Sequence, residues 1–127
     1  VRTYTGDPDT AIEHLTHAMR LSPLDPQMPQ LCIAMAVAMR CAGRYLDSAT
    51  WARKALQETP DLLPALIGLA AASALAGQPD DARRAAQRAL EVDPGLRIAL
   101  YNHNLSFRRA EDREAMTNGL RSAGIPD

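Results

Sequence analysis

The sequence predicts an all-α protein, a right-handed α-α superhelix of stacked antiparallel helix hairpins. Three observations predict it. The skeleton Gly, sixteen residues, Pro occurs three times, at Gly6–Pro23, Gly43–Pro60 and Gly77–Pro94. The last two copies lie 34 residues apart, and Ala52, Ala55 and Leu56 return in register as Ala86, Ala89 and Leu90. Aromatic residues make up 4% of the chain, while Ala, Leu and Met supply its bulk, a mixture that favours helix over strand. At 127 residues the chain is long enough to bury a core and is expected to be a single domain.

Each element follows from local chemistry. Pro8 and Pro79 suit the first turn of a helix, where a missing N–H costs nothing. Asp7, Asp9, Asp80 and Asp81 lie near those starts and favour the positive helix end. Gly43 and Gly77 stand where one helix must stop and reverse, which calls for positive φ. Small residues Ala11, Ser48 and Ala82 allow the helices of a hairpin to approach closely. Pro23, Pro60 and Pro94 end the second helix of each unit. Helices are therefore predicted near 8–21, 28–41, 45–58, 62–76 and 79–92. The stretch 104–109 is expected to be an irregular connection, and 111–124 a last helix that caps the stack. The expected units are a partial first repeat over 1–26, whose leading helix is missing, a second over 27–60, a third over 61–94, and a degenerate fourth with the capping helix over 95–127.

A fixed period near 34 with two helices per unit resembles the tetratricopeptide repeat family, over nearly the whole chain. A narrower likeness lies in "AIEHLTHAMRLSPLDPQM" (Ala11–Met28) and "FRRAEDREAMTNGLRSAGIPD" (Phe107–Asp127). These resemble the C-terminal repeat region of bacterial class III adenylate and guanylate cyclases, with Ala110 where that family places a proline. The resemblance implies a non-catalytic regulatory tail whose cyclase domain precedes the repeats. None of the cyclase's metal-binding or purine-reading residues falls on these positions. A scaffold or adaptor region of another signalling or transcription-regulating protein is the alternative, and an enzyme in its own right a remote one.

The repeat places a partner-binding face on the first helix of each unit. Its residues are Gln30, Ile33, Val37 and Arg40 in the second unit and Pro64, Ile67, Ala71 and Ala74 in the third, continued by Ile98 and Tyr101. Chaperone-binding members of the family hold a terminal carboxylate there with Lys, Asn and Arg; the Ile, Val, Ala and Pro of this chain depart from that clamp. The expected occupant is a protein or peptide, such as a helix, unless the chain's own last helix fills the face. Ile12, Leu15 and Met19 form an apolar stripe on the first helix, with one flank expected to be uncovered and available for a homodimer.

Other candidates have plainer explanations. His14 and His17 share a helix face but lack a third ligand, so no metal site is expected, and no cofactor. His103 is isolated. Asp80 and Asp81 read as helix-start residues rather than a catalytic pair, and Ser48 and Ser73 have no base nearby. Cys32 and Cys41, nine positions apart on one helix, are separated by about 13 Å of rise. A disulfide needs Cα atoms within roughly 7 Å. Free thiols suit a reducing cytoplasm. A net charge of −1 gives no pull toward nucleic acid or an anionic membrane. The apolar run 62–77 is too short to span a bilayer, and no signal peptide is read at the start.

Overall fold

The computed structural model describes residues 8–24, 26–98 and 110–127. Six helices form among them: α1 (Pro8–Leu21), α2 (Met28–Cys41), α3 (Tyr45–Glu58), α4 (Leu63–Leu75), α5 (Pro79–Val92) and α6 (Ala110–Ala123). No strand occurs among the described residues, so the fold is all-α. Tyr101, His103, Asp7 and the connection expected at 104–109 lie outside them.

The helix ends show why these segments stop where they do. Gly43, Gly77 and Gly124 have φ of 79°, 80° and 107°. At each, the residue after the glycine bonds back to a carbonyl in the last turn: Arg44 N–H to Met39 O (2.8 Å), Gln78 N–H to Ser73 O (2.8 Å), Ile125 N–H to Leu120 O (3.0 Å). This left-handed closure satisfies carbonyls that a helix end leaves open. A Cβ at Gly43 or Gly77 would meet nothing within 4 Å. The requirement there is the backbone angle, not space. At the N-terminal ends the expected charges take a different role. The residues capping α2 to α5 make no side-chain cap bond. Asp80 and Asp81 instead pair with Arg83 and Arg84, one turn along α5.

Short connections turn each helix back against its predecessor, so α2 pairs with α3 and α4 with α5, with α1 on α2 and α3 on α4. The hairpins close on small side chains. Ser48 of α3 donates to the carbonyl of Ala36 at 2.6 Å. Ala52, Ala55, Ala82, Ala86 and Ala89 are buried. The core runs as three clusters in series: α1 with α2, then a seam between α2, α3 and α4, then α4, α5, α6 and the C-terminal residues. Trp51 joins the first two clusters, and Leu56 the last two. Across the outer surface Arg88 of α5 reaches Asp61, in the turn before α4, with Nε to Oδ1 at 2.6 Å. Asp61 itself has φ 63°, a conformation Asp and Asn tolerate better than most residues.

Two outcomes follow from this packing. Ala55 and Ala89 are 0% exposed, so Leu at either position overpacks the helix contact and costs about 1–3 kcal/mol, read as a lower urea midpoint; unchanged midpoints would mean the contacts are not tight. The bonds from Arg88 hold the Asp61 carboxyl below its ordinary range. A carboxyl held low in the folded state stabilises above its unfolded value of about 3.9 and loses that contribution as pH falls through the folded value. Asp61→Asn, which keeps the backbone preference, therefore lowers the midpoint at neutral pH, and its gap to wild type closes as pH falls below about 4. A pH-independent gap would locate the effect in the backbone instead.

Candidate interaction face

Gln30, Ile33, Val37 and Arg40 recur at three- and four-residue steps, which sets them on one face of α2. Pro64, Ile67, Ala71 and Ala74 have the same spacing on α4. The structure brings the two rows together but treats them differently. On α2, Gln30 is exposed and Ile33 and Val37 are half-buried. With Arg40, Pro64 and Gly68 they line a cleft of about 30 Å³, backed by Ala36, Ala52 and Ala65. Gly68 opens this cleft: a Cβ there would meet nothing within 4 Å.

Of the row on α4, Pro64 alone is exposed. Ile67 and Ala71 are buried, not open, because α6 lies against them through Met116, Leu120 and Ala123. Ala74 is partly buried against the same cluster. The reason α6 can lie so close is Gly119. A Cβ at that position would stand 2.9 Å from the carbonyl oxygen of Ala71 and 3.3 Å from Cγ of Leu75. Ile98 is also buried rather than continuing an open face, and its N–H donates to the carbonyl of Pro126 at 2.9 Å. The outward residues of α6, among them Arg113, Glu114, Asn118, Arg121 and Ser122, are polar. The last helix thus closes the α4 half of the face and leaves the α2 half open.

Arg40 is the unusual member of the open half. It is 8% exposed, and no acidic side chain among the described residues pairs with it. The other arginines on neighbouring surfaces have partners: Arg44 with Asp47, Arg53 with Asp81, Arg88 with Asp61 and Glu91.

The stripe of Ile12, Leu15 and Met19 packs on α2 along one flank. Leu15 is buried against Met35, Ala38 and Met39, and the half-buried Ile12 and Met19 pack on the same cluster. Leu15 thus faces α2, while Ile12 and Met19 stay half-exposed. The large apolar side chains exposed near that end are Leu21 and Leu24, the latter 94% exposed. His14 and His17 are exposed, and no group of three or more His, Cys, Asp or Glu among the described residues could hold a metal ion. Neither Cys32 nor Cys41 is in a disulfide, and burial pushes the Cys32 thiol up from its ordinary value. No helix among the described residues is long and apolar enough to cross a membrane. A wider hollow of about 420 Å³ lies beside the turn at Gly43 and is floored by Tyr45, Leu46 and Ala76, but its charged groups, Arg44 and Asp47, satisfy each other.

Gly119 gives the covering helix a direct test. Gly119→Ala forces α6 away from α4, so amide exchange in α6 accelerates by at least about tenfold, a shift equal to roughly 1.4 kcal/mol of local opening. Exchange in α2 and α3 stays as in wild type. Unaltered α6 protection would show that the approach is looser than 2.9 Å.

No family model matches the chain, and no curated protein matches it either.

Proposed function

We propose that the chain is a protein–protein interaction module built of tetratricopeptide-type hairpins, wound as a right-handed superhelix, and that it serves as the non-catalytic regulatory tail of a bacterial signalling protein such as an adenylate cyclase, working in the cytoplasm. The observation that carries the interaction reading is the open apolar face of α2, where half-buried Ile33 and Val37 flank a cleft beside Pro64. Half-covered apolar side chains grouped on one face favour a protein partner. The repeat reading rests on the 34-residue recurrence of glycines with nearly equal positive φ at Gly43 and Gly77. The cyclase attribution rests on the two quoted stretches alone.

The test sets the two faces of the stack against each other. A photo-crosslinking residue is placed at Val37 in one version and at the exposed Gln87 of α5 in another. The module reading expects one discrete crosslinked protein from position 37, lost when Gly68→Leu fills the cleft, and none from position 87. Equal crosslinking from both positions would sink it. For the cyclase attribution, the decisive observation is the reading frame upstream of Val1: a cyclase catalytic domain encoded in frame supports it, and an unrelated domain overturns it.

A further inference from the structure

We propose that α6 is an inhibitory occupant of the α4 row, and that the partner this row takes is an amphipathic protein helix carrying glycine where it crosses Ala71. This rests on the interaction-module reading and adds the partner's pattern and its control.

The repeat sets Ile67, Ala71 and Ala74 one period of 34 residues after Ile33, Val37 and Arg40. The row that α6 covers is therefore the continuation of the row that stays open on α2. The residues of α6 spell out what seats there. Met116, Gly119, Leu120 and Ala123 fall at i, i+3, i+4 and i+7, the spacing of one helix face, and all four are buried. A Cβ at position 119 would stand 2.9 Å from the carbonyl oxygen of Ala71, inside ordinary van der Waals contact. Any helix seated as α6 is must bring glycine to that point. A large apolar residue three positions before it, another directly after it and a small one three beyond that complete the pattern.

The sequence of α6 suits it poorly to standing alone. Its 14 residues are marginal for an isolated helix. Thr117, Asn118 and Gly119 place weak helix formers in succession beyond its midpoint. In α5, by contrast, Ala, Arg, Gln and Leu fill most positions. The glycine that lets α6 dock is thus the residue that most weakens it undocked, so helix and contact form together. At its end the hold comes from Ile125 in the core cluster and from the bond between the Ile98 N–H and the Pro126 carbonyl, 2.9 Å. The Arg121–Asp127 pair beside it is exposed and adds little. A row held by a segment of its own chain binds a second helix only in those molecules where that segment is out. Loosening α6 therefore strengthens capture of a helix of the same pattern.

The probe is the unlabelled, acetylated peptide of residues 110–127, added to the isotopically labelled chain and followed by methyl and amide NMR. The readout lies on α4 and α6, so it fails or succeeds independently of crosslinking from Val37. The peptide is expected to displace the chain's own α6. The Met116 methyl signal moves and the α6 amides lose protection, while the Ile67 methyl stays buried because one helix replaces another. A peptide carrying Gly119→Leu should leave the chain unchanged. Chains with Gly119→Ala, or lacking residues 125–127, should bind the native peptide at least about tenfold more tightly than wild type, since a lid loosened by that factor frees the row in proportion. Unaltered Met116 signals in wild type and in the truncated chain at about millimolar peptide, the weak end of useful affinity, would overturn the proposal. So would equal binding of the Gly119→Leu peptide, or equal affinity in wild type and the loosened chains. Loss of α2 and α3 protection in both loosened chains would make α6 part of the common core and would overturn it as well.

Discussion

The close approach of helix backbones across small side chains is the constraint on which the rest of this structure depends. The chain has few aromatics with which to fill wide gaps. Its helices must therefore meet at Ala–Ala, Ala–Ser and Ala–Gly contacts for dispersion to accumulate. Ser48 against Ala36, Ala55 and Ala89 in the hairpins, and Gly119 against Ala71 at the last helix, are one device used repeatedly. Larger residues such as Met35, Ile67 and Met116 then fill what remains. The same constraint governs the candidate face on α2 and α4, because where α6 can approach closely the face is closed, and where it does not reach the face stays open.

Much of the fold was legible in the sequence because its signals are local. A positive-φ glycine, a proline in a first turn and an alanine every three or four residues each act within one turn of helix. The boundaries of α1, α2, α3 and α5 agree with those expected from these signals alone. Long-range placement was less legible. The burial of Ile67 and Ala71 depends on where α6 packs, and nothing in the residues of α4 says what covers them. Two signals did point to α6. A glycine inside a helix, Gly119, costs stability unless something lies against it. The phrase Gly124-Ile125-Pro126-Asp127 also repeats Gly77-Gln78-Pro79-Asp80, and both follow helices closed by the same left-handed turn.

Charge is distributed by the opposite logic from apolar surface. The arginines of α5 reach Asp80 and Asp81 in its own first turn and Asp61 in the turn before α4, and Asp81 also pairs with Arg53 of α3. Exposed pairs of this kind contribute little each. Two of them, Arg53–Asp81 and Arg88–Asp61, join separate elements on the solvent side, while alanines pack on the inside.

The serial arrangement of the three core clusters bears on how the chain reaches this state. Each hairpin is made of neighbours in sequence, and contacts of that kind form early because little loop entropy opposes them. The contact between α4 and α6 is different. It joins Ala71 to Gly119 across the whole of α5 and the segment that follows. Its formation waits on closing a long loop, so α6 is the natural last arrival. Until it docks, the α4 row that it covers stands open, and a nascent or partly unfolded chain would offer a partner, or a chaperone, more apolar surface than the finished molecule does.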